Sequence, residues 1–81
     1  MKIPMNVTYD PEVGAAYIYL KKIGPGEAKK TYSCDSRKVG GEISLDFDKN
    51  GVLLGIEVLD ARRLLPKELL PKKERMRRKR S

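Results

Sequence analysis

Apolar and polar residues alternate along much of residues 5–58, and alternation with a period of two is typical of β-strands with one buried face. In the first segment Met5, Val7 and Tyr9 are the apolar positions, and Asp10-Pro11 ends it because proline has no N–H to donate. The same period predicts a second strand over residues 15–20 and a third, more polar strand over residues 29–34. The lysines of the third segment are typical of a sheet edge, since they discourage further strand pairing.

Two later segments, EISLDFD and VLLGIEVLD, alternate in the same way and predict a β-hairpin. Asp48 suits the start of a turn and Gly51 suits its left-handed closing position, so we expect a four-residue loop over residues 48–51. That loop would place all six apolar side chains on one face. The predicted pairs are Phe47 with Val52, Leu45 with Leu54, and Ile43 with Ile56.

The pattern changes after residue 60, where a short helix is expected. Asp60 is a suitable N-cap for the segment ARRLL, and Pro66 interrupts that helix and opens a second turn, PKELL. Residues 35–41 are expected to form a loop. The predicted fold is therefore α+β: an antiparallel sheet of four to five strands, arranged as a meander of hairpins, followed by a short C-terminal helix and a basic tail. Residues 1–71 would form one small domain and residues 72–81 the tail.

Charge is concentrated in that tail. The net charge of the chain is +7, of which residues 1–66 contribute +1 and residues 67–81 contribute +6. A dense cationic run binds phosphate backbones, but here no aromatic residues are interleaved for base stacking, so any nucleic-acid binding should be nonspecific. The alternative is a disordered, solubilising tail. The candidate nucleic-acid contacts are Lys72, Lys73, Arg75, Arg77, Arg78, Lys79 and Arg80.

The stretch DFDKNGVLLGIE fits the pattern of a calcium loop, D-x-[DN]-x-[DN]-G-x5-E. In such a loop the last carboxylate returns to the ion from a helix, whereas both flanks here have the period of strands. In the predicted register Asp46 faces Leu53, and Glu57 lies roughly 13 Å further along the strand. We therefore expect an acidic hairpin and no calcium, metal or cofactor site. The alternative is weak ion binding by Asp46 and Asp48, which point to the same side.

The sequence offers little for catalysis. There is no His, so the commonest general base is absent, and Cys34, the only cysteine, has no His partner. We expect no catalytic residues and a protein that is not an enzyme. In the predicted register Glu57 faces Glu42, and Arg62 or Arg63 from the helix would neutralise the pair. No segment has the length of a membrane span, no secretory signal is evident, and a single cysteine suits a reducing compartment, so we expect a cytoplasmic protein.

A second apolar set lies on the opposite face of the predicted strands, formed by Tyr17, Tyr19, Leu53 and Leu59. Two alternatives would cover it. The C-terminal leucines, at positions 64, 65, 69 and 70, would pack over it within one chain, which we favour. Otherwise a second subunit would cover it, since large exposed apolar patches usually mark interfaces.

Two motifs, VTYDPEVGAAYIYL and ISLDFDKNGVLLGIEVLDARRLL, together resemble a small prokaryotic family, domain of unknown function 2283. The resemblance covers residues 7–65. It implies a compact domain of strands followed by a helix, and it implies no activity. The middle segment, residues 21–41, and the basic tail depart from the family pattern.

Two classes of function remain open. The first is a non-enzymatic interaction module that binds an unknown protein partner or forms a homodimer, with antitoxin-like regulation as one form. The second is nonspecific nucleic-acid binding through the basic tail. A third class, a small hydrolase or metal-dependent enzyme, is disfavoured by the missing His.

Overall fold

A five-stranded antiparallel sheet forms the body of the protein in the computed structural model, which describes residues 1–73. The strands are β1 (Asn6–Asp10), β2 (Ala15–Tyr19), β3 (Lys30–Ser33), β4 (Ile43–Phe47) and β5 (Leu53–Val58). The helical elements are α1 (Ser36–Val39), α2 (Ala61–Leu64) and a 3₁₀ turn, Lys67–Leu69. The predicted α+β class is confirmed. Across residues 1–73, no helix combines the length and apolar composition needed to cross a membrane.

The strand order is β1-β2-β5-β4-β3, so the sheet is not the simple meander expected from the sequence. β2 pairs with β5, and residues 20–29 carry the chain past β5 and β4 to the far edge, where β3 pairs with β4. Glu27 stabilises a turn within this connection, because its carboxylate accepts hydrogen bonds from the Gly24 N–H and the Lys21 ammonium. β3 is an edge strand, as predicted, and all its residues are exposed.

The β4–β5 hairpin is present, but its predicted register is wrong by two residues. Asp48 is bonded to Val52 through its N–H, so the loop contains three residues instead of four, and this shifts the pairing by one. An irregularity follows, since Phe47 pairs with Leu53 whereas Asp46 pairs with Gly55, and this shifts it by one more.

The two shifts add up to two residues, an even number, so the side chains keep their predicted faces. A shift of one residue would turn one strand over, and a shift of two returns it to the same face. The observed pairs are therefore Ile43 with Val58 and Leu45 with Ile56, and the predicted apolar face survives the error.

The C-terminal elements cover one end of that apolar face. Ala61, Leu65 and Leu70 pack with Ala16 of β2 and Val58 of β5, and all five side chains are buried. Ala16 and Ala61 are small, which lets α2 approach the sheet closely. The expectation that the C-terminal leucines cover Tyr17 and Tyr19 is wrong, because these tyrosines alternate with Ala16 and occupy the other face.

Two local features differ from expectation. Residues 36–39 form a helical turn rather than loop, because the Asp35 carboxylate accepts the Arg37 N–H and Gly40 adopts the left-handed conformation at the C-cap. Asp60 stands at the N-cap of α2, but its φ is 55° and its side chain caps nothing; it accepts from Arg63 Nε instead, at 2.8 Å.

Candidate functional site

The sheet face opposite α2 carries two rows of mainly polar and aromatic positions, and we call it the tyrosine face. Alternation along each strand and the observed register define its members. One row crosses all five strands as Thr8, Tyr17, Glu57, Ser44 and Ser33. The neighbouring row crosses them as Asn6, Tyr19, Gly55, Asp46 and Thr31.

Tyr17 organises the centre of this face. Its ring lies diagonally over Gly55, so closely that a Cβ on residue 55 would stand 2.7 Å from the ring carbon Cζ. Its hydroxyl donates to Asp46 Oδ2 at 2.6 Å, and Thr31 donates to Asp46 Oδ1 at 2.7 Å. The Tyr19 ring lies beside the Tyr17 ring, with centroids 4.6 Å apart and an interplanar angle of 52°. A hydrogen-bonded chain thus joins three strands, β2, β4 and β3.

Partial burial and the acceptor carboxylate of Asp46 both raise the pKa of the Tyr17 hydroxyl above its ordinary value. The phenol therefore stays protonated at neutral pH. It serves as a hydrogen-bond donor that orients the Asp46 carboxylate, and it is not a general base.

The charged positions within the strands of the tyrosine face are all acidic: Asp10, Asp46 and Glu57. By the same alternation, Glu42 lies one position before β4 and Lys29 one position before β3. The predicted opposition of Glu57 and Glu42 is wrong, because Glu57 faces Ser44 in the observed register. Arg63, one of its two expected partners, is bonded to Asp60 and the Gly40 carbonyl. Within residues 1–73, Glu57 is exposed and makes no ion pair or side-chain hydrogen bond.

The residues of the calcium-loop pattern are spread over both strands and the turn. Asp46 faces Gly55, so Glu57 lies only two residues, roughly 7 Å, from the position facing it, and the larger predicted separation is wrong. The Asp48 carboxylate accepts the N–H groups of Val52 and Asn50, which lower its pKa. In the part of the chain that the structure describes, no three His, Cys, Asp or Glu side chains are grouped to hold a metal ion.

Cys34 lines a shallow depression of about 270 Å³ beside the tyrosine face. Ligand pockets are usually larger and enclose most of the ligand, so this depression suits a small-molecule substrate poorly. Its lining consists of Ser33, Cys34, Ser36, Glu42, Ile43 and Ser44.

The opposite face carries an apolar row that residues 1–73 cover only in part, beside the residues under α2. The row crosses all five strands as Val7, Ile18, Ile56, Leu45 and Tyr32. Four of these side chains are half-buried and Tyr32 is 61% exposed. With strands about 4.8 Å apart, the row is about 19 Å long. Ile56 and Leu45 thus lie on the same face as the core, but part of each side chain remains exposed.

The candidate nucleic-acid contacts are only partly visible. Lys72 and Lys73 are exposed. The other five, at positions 75, 77, 78, 79 and 80, lie outside the described residues, as does most of the predicted tail.

Sequence reasoning missed the Tyr17–Asp46–Thr31 chain, although it placed both Tyr17 and Asp46 in strands. The chain depends on β5 lying between β2 and β4, and β2 and β5 are distant in sequence. Gly55 was the available signal, since an isolated glycine inside a strand often marks a bulge or a close approach.

Comparison with known proteins gives one finding. The family model of DUF2283, described as a protein of unknown function, matches residues 6–62. This range contains all five strands and α2, so the resemblance expected for residues 7–65 is confirmed. No curated protein and no solved structure matches the chain.

Proposed function

Since the chain belongs to the DUF2283 family, whose description names no activity, we propose from its own geometry that it is a non-enzymatic interaction module. It binds a protein partner through the apolar row. The proposal places it in the cytoplasm of a prokaryotic cell, in keeping with its single cysteine, and includes regulation of the kind an antitoxin exerts on its toxin.

The observation that carries the proposal is that the described residues leave the apolar row only half-buried, with Tyr32 exposed at one end. Only six hydrophobic side chains are buried among the described residues: Ala16, Leu54, Val58, Ala61, Leu65 and Leu70. Five further apolar side chains form a continuous row across the sheet without being buried. Contiguous exposed apolar surface on a small soluble domain usually marks an interface, because burying it releases free energy in proportion to its area.

Site-specific photo-crosslinking tests this proposal. A photoreactive phenylalanine analogue is placed at Tyr32 of the full chain, in its native cells, and the adducts are identified by mass spectrometry. The matched control carries the analogue at Val13, which is 67% exposed and lies in the turn between β1 and β2, away from the row. We expect one predominant partner from Tyr32 and none from Val13.

A second variant separates binding from folding. Tyr32→Lys should abolish capture of that partner while the far-UV circular dichroism spectrum stays unchanged, because the side chain is mostly exposed. Identical adducts at both positions, or recovery of the protein itself alone, would contradict the proposal. If regulation is antitoxin-like, a small toxin-like gene should lie adjacent, and its product should be the crosslinked protein.

Nonspecific nucleic-acid binding is the second candidate, supported by the net charge of +6 over residues 72–81. Fluorescence anisotropy with two unrelated duplexes should give similar affinities that fall steeply with salt, because neutralised phosphates release counterions. Replacing the seven Lys and Arg residues of this segment with Gln should abolish binding. Affinity that survives this replacement, or that differs strongly between the duplexes, would refute this function.

A further inference from the structure

β3 forms one edge of the sheet, and its outer side faces no other strand within residues 1–73. All of its residues are exposed. Just beyond its end, the Cys34 N–H donates to the Ile43 carbonyl of β4 at 2.8 Å. Because hydrogen bonding alternates along an antiparallel pair, the backbone of Tyr32 also turns towards β4, whereas the N–H and C=O groups of Thr31 and Ser33 turn outwards. β3 thus presents donors and acceptors at the spacing that another strand would match.

The side chains of β3 place charge and an aromatic ring beside those backbone groups. Tyr32 ends the apolar row and is 61% exposed. Lys30 lies two positions away on the same face, and Lys29 comes just before the strand. Both lysines are exposed, and residues 29–34 contain no acidic residue. This edge of the sheet is therefore basic next to the exposed end of the apolar row.

We propose that the partner of the apolar row adds an extended, acidic segment to the outer side of β3 as a further strand. The inference rests on the proposed function, since it states how that partner binds. Strand addition is a common mode of peptide recognition, in which main-chain hydrogen bonds give affinity and alternate side chains give specificity. An apolar side chain of the added strand faces Tyr32 and continues the row beyond the edge of the sheet.

The lysines determine which strands can pair with β3. Lysine on an edge strand hinders further pairing in natural sheets. A carboxylate opposite Lys30 removes this hindrance, because opposite charges facing each other across two strands are favourable and like charges are not. Charge therefore selects the segment, since an acidic strand is attracted and a basic strand is repelled. The pattern expected in the partner is an apolar residue with Asp or Glu two positions away, on the same face.

A synthetic peptide with blocked ends tests the inference before the partner is identified. Valine stands at its centre, glutamate lies two positions away on each side, and threonine fills the other positions, so the pattern is the same in both strand directions. The control peptide has lysine in place of each glutamate. Each peptide is added at millimolar concentration to the full chain, and hydrogen exchange of the backbone amides is measured by NMR.

We expect the glutamate peptide to slow exchange severalfold at Thr31 and Ser33, because their outward N–H groups become hydrogen-bonded. The amide of Val7, in the opposite edge strand β1, should not change. The lysine peptide should have no effect at either edge. Equal protection by both peptides, protection at Val7, or no protection at Thr31 and Ser33 overturns the inference.

Charge reversal tests the role of the edge lysine. Lys30→Glu should transfer the protection of Thr31 and Ser33 from the glutamate peptide to the lysine peptide. The matched control is Lys2→Glu, an exposed lysine that precedes β1, and it should leave the preference for the glutamate peptide unchanged. An unchanged preference in Lys30→Glu also overturns the inference.

This inference and the proposed function fail on different results. If Tyr32 captures a partner in cells but the glutamate peptide protects neither Thr31 nor Ser33, the partner binds the row in another way and only this inference fails. If Tyr32 captures no partner, the proposed function fails and this inference fails with it.

Discussion

Gly55→Ala should destabilise the protein through Tyr17. A Cβ at residue 55 would lie 2.5 Å from the Tyr17 hydroxyl oxygen and 2.7 Å from Cζ, both well inside van der Waals contact. The ring cannot simply swing aside, because its hydroxyl is bonded to Asp46 at 2.6 Å and the tilted Tyr19 ring lies beside it, with centroids 4.6 Å apart. Either the ring or the backbone of β5 must move.

The cost follows from these two constraints. Overpacking in a well-packed position costs about 1–3 kcal/mol. Losing a hydrogen bond to a charged acceptor costs about 1.5–3 kcal/mol when the ring moves. A ring that moves away relieves the overpacking but weakens its hydrogen bond to Asp46. The two costs therefore do not add in full, and we expect a total of about 3 kcal/mol. A domain of this length is stable by only about 4–12 kcal/mol, so the loss is easily measured.

A double-mutant cycle isolates the contact. Urea unfolding is followed by far-UV circular dichroism for Gly55→Ala, Tyr17→Ala and the double variant, since the chain has no Trp to report. Without the ring, Ala at position 55 should be neutral or stabilising by up to about 1 kcal/mol, because glycine weakens a strand interior. The coupling free energy should therefore be at least about 3 kcal/mol.

The control is a glycine-to-alanine substitution at a position where the added Cβ meets no close neighbour. A Cβ at Gly24 would approach nothing nearer than Glu27 Oε1, at 3.9 Å, so Gly24→Ala should change stability by less than about 0.5 kcal/mol. If Gly55→Ala costs the same with and without the Tyr17 ring, the close approach is not the cause and the reasoning fails.

Three further outcomes are expected. Leu54→Ala should cost about 3 kcal/mol in urea unfolding, because Leu54 is 0% exposed, whereas Val52→Ala, at 54% exposed, should cost under about 0.5 kcal/mol; similar costs would mean that the hairpin geometry is wrong. In an alkaline absorbance titration the Tyr17 phenol should ionise above the ordinary pKa of tyrosine, and because its raised pKa favours the protonated fold, stability should be lost as pH rises above about 10, less so in Tyr17→Phe. The lowered pKa of Asp48 has the opposite sign, so its contribution should be present above about pH 4 and lost below it in acid-unfolding curves, and Asp48→Asn should flatten that loss; an unchanged curve would mean that the carboxylate does not hold the turn.

The alternation of residues determined which side chains share a face, and that part of the fold could be predicted. Ile43 and Leu45 share a face with Ile56 and Val58 in any register that differs from the true one by an even number. The register itself could not be predicted, because the three-residue loop and the irregularity near Leu54 each shift it by one, and neither is required by the local sequence.

The placement of the C-terminal leucines shows a second limit. Both faces of β2 are partly apolar, so hydrophobicity alone does not choose between them. The choice depends on shape: Ala16 leaves room for Ala61 and Leu65, whereas Tyr17 and Tyr19 fill the other face with their rings. The same dependence on neighbours hid the Tyr17–Asp46–Thr31 chain, whose members are brought together only by strand order.

The strand order also constrains how the chain folds. β1–β2 and β3–β4 are local pairs that lie on opposite sides of β5, and β5 is the last strand of the five in sequence. Ala16 meets Val58, which is far along the chain, so joining the two halves requires closure of a long loop, a step that slows folding. Before β5 inserts, a nascent chain holds two separate pairs with unpaired edges, and such edges favour aggregation. During synthesis, therefore, neither the Tyr17–Asp46 bond nor the apolar row can exist until residue 58 has left the ribosome.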